Sequence, residues 1–384
     1  MTFAMWAYPW DLLDEGVEHV AGRLADIGVD EVNLATNYHS VQTFNPHNPE
    51  RRTFFARASS YFQSGDGYGR LEPVPNETMG DSDWLAAVVD EIGDTHLSLN
   101  SWTIGCHNSR LGMKHPDVTL ESPYGDSLVF GLCPSNPDVQ RFLHALLADL
   151  DTRAPFKRIE LETFDYFYGT GFGWHHDKFH TQLGTLGEFL FGLCFCGHCR
   201  ENARDAGVDV DRAREICVRT LDTIVAGDLA HETDPGGWLF AHPVVADYVE
   251  TRMETLTDLV KDLSASVKSE VGYYLGSFGV EDAWMHGTDV KSVAEAVDYY
   301  VVMAYESSRA DAVDRLQTAA HLAPKASLHA GVLPGHPAIH DEATLINVVD
   351  GLIDAGAERL SFYNYGLLPE RCLNCVGTAT EPHR

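Results

Sequence analysis

Short apolar runs alternate along the whole chain with stretches whose apolar residues recur at helical spacing. That alternation predicts an α/β fold with a parallel sheet. Eight runs read as strands: Phe3 to Tyr8, Glu31 to Ala35, Leu97 to Trp102, Arg158 to Glu162, Tyr273 to Phe278, Tyr300 to Tyr305, Leu328 to Leu333 and Leu360 to Asn364. Helical patterns lie between them, among them Val17 to Ile27, Trp84 to Ile92, Val139 to Leu150, Val244 to Val271, Ala310 to Leu322 and Glu342 to Ala355. Eight strands with intervening helices predict one (β/α)8 TIM barrel over residues 1–384. A doubly wound sheet is the rival, but no glycine-rich phosphate fingerprint follows the first strand. The longest connections follow strands two, three and four, the side on which such barrels build their sites. Residues 166–243 read as a loop and helical insertion after the fourth strand.

Charge narrows the range of partners. Asp and Glu number 57 against 27 Lys and Arg, a formal charge of −30, and only 7 of the basic residues are lysines. Nucleic acid and anionic membrane surfaces both need basic patches, so neither is an expected partner. An acidic, lysine-poor chain suits strong salt, where screening cancels self-repulsion, and a halophilic source is expected. No run of about 20 apolar residues occurs, so no spanning helix is expected. The segment Met1 to Trp6 has no basic n-region and no cleavage site, and a cytoplasmic, reducing location is expected.

The 8 cysteines are distributed unevenly. Cys194, Cys196 and Cys199 form a Cys-x-Cys-x-x-Cys run that can wrap three sulfurs around one ion. A fourth ligand would complete tetrahedral zinc in a closed, structural site. Cys133, Cys106, His198 and the Cys372/Cys375 pair are the candidates, and a set of buried reduced thiols is the alternative to a metal.

Cys133-Pro134-Ser135-Asn136-Pro137, a helix, the fourth strand, and then the cysteine run heading an amphipathic helix follow one another in that order. This order resembles the zinc-containing beta-galactosidases of glycoside hydrolase family forty-two, and uncharacterised barrel proteins grouped with glycoside hydrolases. The resemblance covers about a quarter of the chain. It implies a structural Zn2+ held by Cys133, Cys194, Cys196 and Cys199 beside the barrel mouth, a carbohydrate substrate, and leaves room for a homo-oligomer. It does not carry over the family's catalytic residues. Leu161-Glu162 stands where the family has Asn-Glu, and the seventh strand ends Leu333-Pro334-Gly335 without a carboxylate.

Candidate chemistry therefore comes from the residues. The fourth strand ends Glu160-Leu161-Glu162-Thr163-Phe164-Asp165. Alternation sends Glu160 and Glu162 to one face, with Glu162 nearer the mouth. The sixth strand ends Met303-Ala304-Tyr305-Glu306, which resembles the Met-x-Tyr-Asp strand end of chitinase-type barrels. Glycoside hydrolysis generally needs two carboxyl groups, so Glu162 and Glu306 are the expected catalytic pair.

Trp6, Tyr38, Trp102 and Tyr305 offer faces for sugar rings, and Asn100, Asp165 and Asn364 offer polar partners for hydroxyls. His39, His107 and His329 are further polar groups expected near the mouth. The expected function is glycoside hydrolysis. A metal-dependent sugar isomerase, epimerase or lyase using His175, His176 or His180 with Glu162 is a second reading. A non-catalytic sugar-binding barrel is a third.

Overall fold

The computed structural model describes residues 1–166, 178–230, 232–275 and 279–384. Eight parallel strands close into a barrel: β1 (Thr2–Ala7), β2 (Glu31–Tyr38), β3 (Ser98–Ile104), β4 (Arg158–Glu162), β5 (Glu270–Leu275), β6 (Tyr299–Met303), β7 (Ser327–Val332) and β8 (Arg359–Phe362). Closure is direct, because β1 pairs with β2 on one side and β8 on the other. All eight expected runs are strands of this barrel. β5 begins earlier than expected because the preceding helix, Pro243–Ala265, stops short of Val271. Asp151 accepts the backbone N–H groups of Lys268 and Ser269 there and turns the chain into the strand. Positions 276–278 of the expected run lie outside the described residues.

Two elements hidden in the long connections are β-hairpins. Val41–Phe44 pairs with Thr53–Ala56 after β2, and Thr119–Glu121 pairs with Ser127–Leu132 after β3. Among the described residues, four helices, Gly184–Gly192, Gly197–Asp205, Val210–Val225 and Pro235–Ala241, lie between β4 and the long helix Pro243–Ala265. No helix among the described residues is long and apolar enough to cross a membrane.

Alternation along each strand divides the buried side chains into two cores. Met5, Leu34, Leu99, Leu161, Val302 and Leu360 face outward and pack under the helices. Trp6, Ala35, Trp102, Tyr274, Tyr299 and Val301 fill the barrel itself. Gly272 makes room for this filling, since a Cβ there would lie 2.4 Å from the Tyr299 ring.

Below the aromatic layer the interior is charged. Arg359 lies within 2.9 Å of Glu31 and donates to Glu160 at 2.7 Å, and all three are buried. Glu160 also accepts from Tyr274 Oη at 2.9 Å and Tyr299 Oη at 3.3 Å. Lys157 and Arg158 each reach Glu31 at 2.7 Å. Burial alone would raise Glu31, but Arg359, Lys157 and Arg158 outweigh it and hold its carboxyl down to about 2. Removing one partner from such a network leaves an uncompensated buried charge. Arg359→Met is expected to cost about 3–5 kcal/mol in urea unfolding. A loss under about 1 kcal/mol, the scale of a solvated pair, would contradict this account.

Candidate active site

Glu162 closes β4 with its side chain in the barrel mouth, as the strand's alternation requires. Ile159 and Leu161 face the outer core, while Glu160 and Glu162 face inward. Trp102 Nε1, from the end of β3, donates to Glu162 Oε2. Rings crowd around this carboxyl. Tyr38 meets Trp102 edge-on at 4.6 Å, Trp6 lies 6.3 Å from Trp102, and Tyr363 packs against Trp6, Trp102 and Tyr305 at 5.7–5.9 Å. The hydroxyls of Tyr8 and Tyr38 approach that of Tyr363 at 3.3 and 3.5 Å. Trp6 Nε1 donates to Tyr274 Oη at 2.5 Å, which joins the mouth to the Glu160–Arg359 network below. The Tyr305 hydroxyl is buried and has no hydrogen-bond partner among the described residues.

Immediately after Glu162 the chain bends back. Thr163 takes φ +50°, a left-handed conformation costly for a β-branched residue. Its carbonyl accepts Cys106 N–H at 2.7 Å, and the Glu162 carbonyl accepts Gly105 N–H at 3.0 Å. Two residues further on, Asp165 Oδ2 lies 3.8 Å from His286 Nδ1. Asp165 Oδ1 is buried without a hydrogen bond among the described residues.

Both carboxyls are hard to ionise. Burial pushes Glu162 up to about 7, against the pull of the Trp102 N–H and with the help of Glu160. Burial also pushes Asp165 up to about 7, with its own backbone N–H opposing, Glu162 adding to the rise and Arg252 reducing it. His286 is driven down to about 3 by burial and then by Arg252, so it is neutral beside Asp165.

The other expected site residues are placed as follows. Trp6, Tyr38, Trp102 and Tyr305 line the mouth. Glu306 does not hydrogen-bond to that cluster: Arg315, on the helix Arg309–Leu322, holds it through Nε and Nη2 at 2.5 Å, and it is 27% exposed. Asn100 sits deep in the barrel, donating to Glu31 and Asn33 at 3.0 Å, so it serves the interior network and not the mouth. His329 also lies inside, stacked on Tyr299 at 3.9 Å, and burial followed by Arg359 and Arg158 drives it down to about 2. Asn364 caps Gly366 N–H through Oδ1 and leaves Nδ2 buried and unpartnered among the described residues. His175 and His176 lie outside the described residues, and His180 is exposed. Tyr274, His286 and Arg252 were not expected here. Nothing in their sequence spacing links them to the fourth strand.

The four expected thiols meet. Cys133 Sγ lies 3.6, 3.5 and 3.8 Å from Sγ of Cys196, Cys199 and Cys194, and all four sulfurs fall within 4.8 Å of one another in a buried pocket. Tetrahedral zinc with bonds of about 2.3 Å would place its sulfurs about 3.8 Å apart, so the donor set fits a metal ion. Glu121 N–H points at Cys194 Sγ at 3.4 Å, and Ser135 Oγ lies 3.3 Å from Cys199 Sγ. Ser135 also meets Tyr166 Oη at 2.6 Å. The cluster therefore joins the segment after β3, the insertion after β4, and the loop carrying Asp165. Arg252 lies over the Tyr166 ring at 4.3 Å, and its guanidinium is buried without a hydrogen bond among the described residues.

No family model matches the sequence, and a search of curated proteins finds no match. Solved structures do share the fold. The glycoside hydrolase domain of PgaB (BpsB) from Bordetella bronchiseptica superposes with a TM-score of 0.63 at 12% identity, covering 99% of this chain and 98% of that one. The beta-galactosidase of the psychrophilic Marinomonas ef1 gives 0.59 at 12% identity, with 100% of this chain and 59% of that one covered. The beta-galactosidase of Bacillus circulans sp. alkalophilus gives 0.59 at 13% identity, covering 99% and 55%. The chain thus spans little more than half the length of those two galactosidases.

Proposed function

We propose that the protein is a glycoside hydrolase whose working carboxyl groups are Glu162 and Asp165, acting on a carbohydrate seated among Trp6, Tyr38, Trp102, Tyr305 and Tyr363. One observation carries this reading. Two carboxyls pushed up toward neutrality lie near one another at the end of β4, and Glu162 disfavours the ionisation of Asp165. Charge repulsion favours a state with one proton between them. The protonated member can give that proton to the glycosidic oxygen. The ionised member can activate water or attack the anomeric carbon. Tyrosine rings offer stacking faces, and the free Tyr305 hydroxyl offers a donor to the sugar. The ion pair of Glu306 with Arg315 favours Asp165 over Glu306 as partner to Glu162. The shared fold of the glycoside hydrolases above is consistent with this chemistry and does not specify a sugar.

We also infer that the four-thiolate cluster holds a structural zinc. The convergence of its sulfurs, and the lack of any open ligand position among four protein donors, support that assignment.

The pH dependence follows from the carboxyls. kcat/KM should peak near neutrality and fall on both sides, by about tenfold per pH unit far from the optimum. On the acid side the base is protonated, and on the alkaline side the acid has lost its proton. Initial rates of reducing-end release across pH 5 to about 9 test this. A flat profile over that range would refute the assignment.

A further inference from the structure

Outside the barrel mouth lies a cleft of about 1190 Å³, between the hairpin after β2 and the helix Ser109–Lys114 after β3. Its lining is unlike the rest of the surface. Arg57, Arg110 and Lys114 line it against the single carboxylate of Glu77, in a chain that carries 57 acidic and 27 basic residues. Arg110 reaches Glu77 at 2.6 Å through Nη2, while its Nη1 is buried without a hydrogen bond among the described residues. Arg57 and Lys114 are exposed. Once Glu77 is neutralised, two positive charges remain uncompensated.

The same cleft has an apolar wall. Phe55 is 67% exposed and Met113 is 58% exposed, and both line it. Alternation in the hairpin puts Phe44 on the same outer face as Phe55, also 67% exposed. An exposed aromatic beside cations suits a ligand with flat apolar faces and negative groups.

A row of packed rings lies between the cleft and the mouth. Trp102, bonded to Glu162, meets Tyr38 at 4.6 Å. Tyr38 packs on His39 at 4.3 Å, and His39 stacks on His107 at 4.8 Å. Ser40 and Val41 then enter the cleft directly from β2, and Ser109 and Arg110 enter it from β3.

We propose that this cleft, beside the barrel mouth, is a distal subsite for an acidic oligosaccharide, one bearing carboxylate or sulfate groups. This rests on the carbohydrate reading of that mouth and adds a polymeric, anionic substrate class. Phe55 stacks a sugar ring, and Arg57, Arg110 and Lys114 take its negative groups. Attraction at an exposed cationic site is screened by salt, so binding weakens as ionic strength rises.

The test is affinity electrophoresis in native gels containing polygalacturonate, alginate or chondroitin sulfate, run beside gels with neutral dextran and with single-stranded DNA. The Glu162→Gln variant is used throughout, so that turnover does not erode the polymer. A chain of charge −30 is repelled by polyanions in general, which makes retardation diagnostic. The expected result is retardation by at least one acidic polysaccharide, weakened by at least tenfold in apparent affinity in the Arg57→Gln/Lys114→Gln double variant and in Phe55→Ala. These three side chains are exposed, so loss of folding does not confound the comparison. Retardation by none of the acidic polymers, equal retardation of the double variant, or preference for dextran or DNA would overturn the proposal. Retardation by an acidic glycan that wild type, assayed separately for turnover, never cleaves would instead leave the subsite standing and remove the hydrolase reading.

Discussion

Glu162→Gln should remove turnover and, at the same time, make the protein more stable at alkaline pH. The two effects share one cause. Burial holds the Glu162 carboxyl at about 7 in the folded chain against an ordinary value of 4.5. Between those values the folded state keeps a proton that the unfolded chain has released, so stability falls as pH rises through the window. Above about 7 the full penalty is present, and below about 4.5 it vanishes because both states are protonated. At 1.36 kcal/mol per unit the shift sets an upper bound near 3 kcal/mol, and sharing of the proton with Asp165 reduces it to about 1–3 kcal/mol. Gln has no charge to desolvate and keeps an oxygen for the Trp102 N–H. Urea unfolding at pH 8 should show the variant gaining about 1–3 kcal/mol, and at pH 4 no gain. Turnover should fall by about 10²–10⁴-fold, the range for loss of a general acid or base. A variant less stable than wild type at pH 8 would mean that Glu162 is a structural charge.

Cys199→Ser is expected to have the opposite character, losing stability and activity together. The thiolate cluster connects three segments whose local sequences cannot hold them in place: the Cys133 turn, the head of the helix Gly197–Asp205, and, through Ser135 and Tyr166, the loop that presents Asp165. Structural zinc sites supply folding free energy outright, about 10–16 kcal/mol in isolated small domains, of which a site embedded in a barrel contributes a fraction. The variant should lose its bound ion by elemental analysis and unfold the insertion at lower temperature, by about 10 °C or more. Wild type should contain one zinc per chain that survives dialysis against a mild chelator. A metal-free wild-type protein with unchanged melting would show that the sulfurs are merely packed thiols.

The strands were legible because barrel strands are buried on both faces and read as nearly continuous apolar runs. The hairpins were not. Phe44 and Phe55 put aromatics on a solvent face, which breaks the apolar-in, polar-out alternation that marks a strand. The inward glutamates were readable from alternation alone, since residues two positions apart in a strand share a face. What each meets there was not readable. Glu160 is matched by Arg359, 199 residues away, and Asn100 by Glu31 and Asn33. The sulfur cluster was legible through its short spacing, and its fourth member through a resemblance. The proposed partner of Glu162 was the hardest to read. Glu306 occupies a strand end suited to catalysis, yet Arg315, nine residues on, claims it from the next helix. Asp165 follows the left-handed turn at Thr163, a conformation that the residue type does not announce.

The proposed reaction is cleavage of a glycosidic bond by Glu162 and Asp165. It is tested most directly by measuring reducing-end release side by side for wild type, Glu162→Gln, Asp165→Asn and Glu306→Gln over a panel of neutral and acidic glycans. The expected result is cleavage of at least one glycan by wild type and Glu306→Gln at comparable rates, with both the Glu162 and Asp165 variants reduced at least about 100-fold. Full turnover by Asp165→Asn together with loss of turnover in Glu306→Gln would contradict the pair, and full turnover by Glu162→Gln would contradict the site.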